Sequence, residues 1–319
     1  MKYSIIGTLV AAACAAASAH AQQYPTKPVR IVVPTNPGGG ADIQARLVAK
    51  AFQESIGGMF IVENRSGASG TIGADIVAKA PADGYTVLVT TSLLATSATL
   101  YRKLPYDALK DLTPVSQISS APQYLVVHPT VPARTVKEFV ALAKSQPGKL
   151  NAGSSGSGSA NHLAVEMLKQ RTGIDVHHIP YKSGAPAMTA LIGGEVDFTF
   201  TGAVTALPPI RARQVRALGV TSLKASSATP DVPPLAATYP GFESANWYAL
   251  FVPAGTPALI VSKLSAETAK AIKSPAVRDF IRQDGADPVG SSPQEFAAFF
   301  KREIARYAEV IRKGKVQVD

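Results

Sequence analysis

A single cysteine stands in 319 residues, so no internal disulfide can form and no cysteine-based metal framework exists. Charged residues make up only 17% of the chain against 46% hydrophobic, which leaves enough apolar surface to offset chain ordering and excludes a disordered protein. Beyond the leader no stretch reaches the roughly 20 apolar residues of a spanning helix without charges or proline. No unit of about 20 to 50 residues recurs, so a solenoid is excluded. Several chemical signatures are missing as well. No Gly-Lys-Ser or Gly-Lys-Thr follows a glycine in phosphate-loop spacing. The serines lie in neither a Gly-x-Ser-x-Gly elbow nor a Ser-x-x-Lys pattern.

What is present begins with a basic balance of +10, from 32 Lys+Arg against 22 Asp+Glu. It admits nucleic acid, anionic surfaces or acidic small molecules without choosing among them. Residues Met1 to Ala21 read as a secretory signal: Lys2, an apolar run from Ile5 to Ala17, and the small-x-small site Ala19-His20-Ala21. Cleavage after Ala21 removes Cys14 as well and predicts an exported, periplasmic protein.

From Pro28 onward, short β-rich runs alternate with helical patterns, which predicts an α/β fold of about two domains. Strands are expected at Val29–Pro34, Met59–Glu63 and Tyr85–Thr90, and the first helix is expected to turn Ile43, Leu47 and Ala51 inward. A second half starts near residue 121, with strands at Gln123–His128, Lys149–Gly153, Val176–Pro180, Val196–Phe200 and Val215–Thr221. Tyr248–Val252 is a further strand, and the chain from Pro257 is read as helical to its end, completing the first lobe.

Three glycine loops stand before helices, at Pro37–Asp42, Ser66–Thr71 and Ser154–Ser159. A helix N-terminus offers unpaired N–H groups and partial positive charge, while glycine allows close backbone approach and serine adds donors. Anion binding is the stronger reading of the serine-rich loop, whereas turn chemistry explains the middle loop equally well. The first loop fails the dinucleotide fingerprint, because Ile43 stands where glycine is needed and Asp42 would repel a pyrophosphate. His162 and Glu166 share a helix face, so a relay to a loop serine such as Ser155 gives an alternative, a secreted serine hydrolase. His177 and His178 point to opposite faces of a strand and cannot chelate one ion. Arg211, Arg213 and Arg216 lack interleaved aromatics and read as a solvated face, as do the basic residues of the last helix, which alternate with Glu303 and Glu309.

In combination these motifs resemble a known family. Pro37-Gly38-Gly39 with Asp42 and Arg46, the run Val62 to Gly70 with Gly73, and Asp83-Gly84-Tyr85-Thr86 are similar to the Bug family, extracytoplasmic solute receptors of the tripartite tricarboxylate transporter system. Gly153 to Ser159 with His162-Leu163 and Glu166, Pro180-Tyr181-Lys182, Gly193 to Asp197, and Pro253 to Pro257 extend the resemblance over nearly the whole mature chain. Ala249 departs from it, standing where glycine is common. The resemblance implies a type II periplasmic binding protein of the Venus-flytrap kind: two lobes with mostly parallel sheets, joined by two crossover strands near Ala121–Val127 and Ser244–Ala249. The lobes are expected at residues 22–122 with 248–319, and at 123–247. A monomer without cofactor, metal or nucleic acid would hold a small carboxylate in the cleft and deliver it to membrane permease subunits. The expected ligand-binding residues are Pro37, Gly38, Gly39 and Asp42, then Thr91 and Ser92 at a strand end. From the other lobe come Ser154, Ser155, Gly158, Ser159, His162, Tyr181 and Thr201. Trp247 and Tyr248 near a crossover are read chiefly as core packing, with gating of an aromatic ligand as the alternative.

Overall fold

A computed structural model describes residues 24–317 apart from 102, 227–228 and 284, so the leader lies outside the described residues. The apolar runs form β1 (Val29–Val33), β2 (Phe60–Asn64) and β3 (Thr86–Thr91), each followed or preceded by a helix: α1 (Gly40–Ile56), α2 (Thr71–Ala78) and α3 (Leu93–Leu100). A long strand, β4 (Leu112–Val127), leads to α4 (Val136–Ser145), β5 (Asn151–Ser154), α5 (Ala160–Thr172) and β6 (His177–Pro180). Then come α6 (Gly184–Ile192), β7 (Phe198–Gly202), α7 (Ala203–Arg211) and β8 (Arg216–Val220). The chain returns through β9 (Ala245–Pro253) to α8 (Ala258–Lys273), α9 (Pro275–Gln283), β10 (Asp287–Pro288) and α10 (Pro293–Gly314).

Strand order is β2-β1-β3-β9-β4-β7-β5-β6, with β8 and β10 also on β4. Pairing is parallel among β2, β1 and β3 and among β6, β5 and β7, as short βα units require. Every pairing made by β4 and β9 is antiparallel. The expectation of mostly parallel sheets therefore holds for the flanks of each lobe and not for its centre, where the crossover strands run. The partners of β4 change from β9 to β7 between Pro122 and Gln123. β4 is also far longer than the predicted Gln123–His128. Pro114 and Pro122 obscure it in the sequence, and the register shifts after Pro114 and Gln117 accommodate the irregularity.

Alternation along the strands divides the first lobe into two layers. Ile31, Val33, Val87 and Val89 face α1, α8 and α9, through Val48, Phe52, Leu264 and Ile281. Val32, Leu88 and Phe251 face the other way, onto α2, α3 and α10. α1 buries Ala41, Ala45, Val48 and Phe52, one position round from the predicted Ile43/Leu47/Ala51 stripe, because Phe52 supplies the largest side chain of the inner face. In the second lobe, Leu125, Val127, Phe198 and Phe200 pack on α4 and α5, and Tyr124 and Val126 on α6 and α7. Among the described residues the tail comprises three helices, with β10 between the last two. α10, opened by a Ser292–Glu295 capping box, packs on α3 and also on α5 of the second lobe, where Gln170 Nε2 donates to the Val310 carbonyl at 2.9 Å. It therefore bridges both lobes, not only the first.

Candidate functional site

Four βα connections converge on one cavity of about 380 Å³ at the carboxyl ends of β1, β3, β5 and β7. Open α/β sheets place ligands at such strand ends. Each following helix contributes its N-terminus to the wall: Gly39–Ala41 of α1, Ser92 and Leu93 of α3, Ser159–Asn161 of α5, and Gly202–Thr205 of α7. α1 and α7 have glycine N-caps and no side chain caps them, so their first-turn amides have no competing side-chain acceptor. Among the described residues, no charged side chain lines the cavity. Its positive potential comes from backbone dipoles.

Of the predicted site residues, the structure brings Gly39, Thr91, Ser92, Ser155 and Ser159 to the cavity wall. The others stand behind it or beside it, each for a visible reason. Pro37 and Gly38 are exposed on the outer turn. Asp42 accepts from the Gly38 amide at 2.9 Å and from Arg46 Nε at 3.1 Å, so it braces the loop. Burial opposes its charge, but the bonds from Arg46 and Gly38 outweigh that and hold the carboxyl below its ordinary value. Ser154 is buried, its hydroxyl 2.6 Å from His178 Nε2. Gly158 donates its N–H to His162 Nδ1 at 3.0 Å, which satisfies both. Tyr181 packs against the Val126 layer, its hydroxyl turned to Glu195, and Thr201 is buried within β7. The middle glycine loop lies outside the cavity: Gly67 and Gly70 have φ of 131° and 86°, which glycine adopts most readily, so turn chemistry accounts for them. The hydrolase relay does not form. Ser155 Oγ donates to Asn161 Oδ1 at 2.5 Å, and Nδ1 of His162 is occupied by Gly158.

Sequence reasoning missed Thr35, Gln123, Asn161, the start of α7 and Asn246, and read Tyr248 chiefly as core, although all line the wall. Asn161 links the serine loop to β7 through its donation to the Phe200 carbonyl, and Ser92 Oγ donates to Asn246 Oδ1 at 2.8 Å. Gly202 at a strand end was a usable signal, masked by Pro208-Pro209 within α7. Tyr248 lies over Gly40 so closely that a Cβ there would collide with the tyrosine hydroxyl, which explains a glycine as the first residue of α1.

Beneath the serine loop the His162 and His178 rings stack 3.6 Å apart at 3°. Burial pushes His162 down to about 3, with the neighbouring His178 and Lys169 adding to the effect; Glu166 Oε1, 3.8 Å from Nε2, is itself paired to Lys169. Because the folded value lies below the unfolded one, the unfolded chain takes up the proton first. Stability is therefore full above about pH 6.5 and falls as pH is lowered, by about 2 kcal/mol for this group at pH 5. Melting temperatures measured from pH 8 to 4.5 should decline more steeply in the wild type than in His162→Gln, whose amide oxygen can still accept from Gly158. Equal slopes would remove His162 from this role.

Comparison with known proteins agrees with this architecture. Residues 44–316 match the family described as the tripartite tricarboxylate transporter family receptor. Protein BugT of Bordetella pertussis is 37% identical over 313 residues, covering 97% of this chain and 96% of that one. Among solved structures, an R. palustris protein with adipate superposes with a TM-score of 0.78 at 36% identity, covering 92% of this chain and 99% of that one. MatC from Rhodopseudomonas palustris, with bound malate, gives 0.74 at 32%, covering 90% and 100%. A two-lobed α/β receptor fold, a cleft at the strand ends and a match over most of the length place the chain in the tripartite tricarboxylate transporter receptor family, the Bug proteins, whose members are periplasmic solute-binding receptors.

Proposed function

We propose that this receptor captures a small carboxylate in the cavity between its lobes and, once closed, presents it to membrane permease subunits. The observation that carries this reading is the convergence of four helix N-termini on a cavity without charged side chains. Such a wall rewards an anion with oriented donors and, among the described residues, sets no acidic side chain to hold a cation. Three charge-assisted bonds of roughly 1.5–3 kcal/mol each suffice for micromolar affinity before ordering costs. Relatives solved with adipate and malate support the same ligand chemistry. Residues 22–122 with 248–319 form one lobe and 123–247 the other, moving about β4 and the start of β9. The protein acts as a monomer after export and signal removal at Ala21, and it binds without a catalytic step. Closure excludes water and completes the donor set, so ligand shifts the open–closed equilibrium by its differential affinity.

A thermal-shift panel of mono-, di- and tricarboxylates tests this. A ligand at about 100 times its Kd stabilises by about 2.7 kcal/mol, visible as a raised melting temperature. No shift with any carboxylate overturns the reading.

A further inference from the structure

Gln123 begins the second-lobe segment of β4 and lines the cavity, although it is only 3% exposed. Its amide is used on one side. Nε2 donates to the Ala160 carbonyl at 3.1 Å and to Ser244 Oγ at 3.2 Å. A carbonyl only accepts, so turning the amide over would set two oxygens against each other. The backbone N–H of Gln123 donates to Thr221 Oγ1 at 2.7 Å, and that hydroxyl donates to the Ser244 carbonyl. The residue is held from both ends, and among the described residues Oε1 is left buried without a partner. A second wall residue, Thr35, leaves its buried Oγ1 without a partner too. Buried polar atoms are rarely left this way, because each keeps the cost of its lost hydration.

We infer that this receptor selects carboxylates that carry a hydroxyl group, with Gln123 Oε1 accepting the hydroxyl hydrogen when the lobes close. The inference rests on the carboxylate reading above. A hydroxyl supplies the hydrogen that the amide oxygen lacks; the Thr35 hydroxyl needs an acceptor, which a ligand hydroxyl or carboxylate oxygen provides equally. An ammonium would also donate, but it would stand among helix N-termini that repel a cation, with no acidic side chain in the described wall to offset them. A plain methylene would seal Oε1 away from water unpaired. Sites built to bond a hydroxyl discriminate against the analogue that lacks it for this reason.

Titration calorimetry on the mature protein with matched acids tests the inference: succinate with malate, glutarate with 2-hydroxyglutarate, adipate with 2-hydroxyadipate. Aspartate and methoxysuccinate complete the set. The hydroxy member of the best-binding pair should bind at least tenfold tighter. Methoxysuccinate, which keeps the oxygen but has no hydrogen to donate, should bind no tighter than succinate. Gln123→Met, checked for folding by its melting temperature, should bring the ratio within a pair to about one. Thr35→Val, which leaves the Gln123–Thr221–Ser244 ring untouched, should weaken both members of a pair alike and leave the ratio between them unchanged. Equal affinities within the pairs, a preference that survives Gln123→Met in a folded protein, or aspartate binding tighter than malate would each overturn the inference. If no pair binds but another carboxylate of the panel does, the inference fails and the carboxylate reading stands. If nothing in the panel binds, both fail.

Discussion

Replacing Trp247 by alanine is expected to cost about 3–5 kcal/mol of stability, a fall of about 5–10 °C in melting temperature. Trp247 is fully buried in β9, where it pairs with Ser120 of the other crossover strand. Its indole meets Phe296, Phe299 and Phe300 of α10 edge-on, with ring centroids 6.0, 6.0 and 5.9 Å away. Nε1 donates to Glu303 Oε2 at 3.1 Å, and Glu303 is paired to Arg306, which also donates to the Glu243 carbonyl at 2.6 Å. Truncation thus opens a large cavity and removes a donor from a carboxylate whose burial already pushes its pKa up. Trp247→Phe keeps most of the ring contacts and loses only the indole donor, so about 1–2 kcal/mol is expected. Denaturant unfolding of the three proteins measures this. A loss below 1 kcal/mol in Trp247→Ala would show that α10 does not depend on this side chain to hold the crossover strands.

That helix also shows where the sequence is readable and where it is not. Strand–loop–helix grammar is local, so β1, β3, β5 and the helices after them can be read from alternation, glycine and capping residues such as Thr135 and Ser159. The two-lobed organisation follows from the repetition of that grammar. The site is half legible for the same reason: Gly39, Thr91, Ser92, Ser155 and Ser159 all sit at strand–helix junctions. Gln123, Asn246 and Tyr248 carry no local signal. They reach the cavity because β4 pairs with β9, Ala121 opposite Asn246, across more than a hundred residues of chain. The error at the serine loop runs the other way. Its polar residues are numerous, but Ser154, Gly158 and His162 satisfy one another or His178, and the amides of Gly156 and Ser159 are engaged within the loop, so fewer groups are left for a ligand than the composition suggests. Composition counts donors, while only the fold decides which donors are already used.

The unused donors at α7 make the strongest test of the cavity's electrostatics. Val204 is the second residue after the Gly202 N-cap, 60% exposed at the cavity mouth. An aspartate there suits the helix, since acids are favoured in a first turn, so Val204→Asp should fold with an unchanged or slightly raised melting temperature. It also places a fixed negative charge at the amides that would receive a ligand carboxylate. Two like charges about 5 Å apart, at a partly solvated effective dielectric of about 40, repel by roughly 1.7 kcal/mol, a loss of about fifteenfold in affinity. Val204→Asn has nearly the same shape without the charge and should stay within about threefold of wild type. Added salt should narrow the gap between the two variants, because this repulsion reaches solvent and is screened. Calorimetry with the best carboxylate of the panel reads all three effects. Wild-type affinity in Val204→Asp would mean that the anion is not held at this N-terminus, and the four-helix account of the cavity would fail at its second-lobe side.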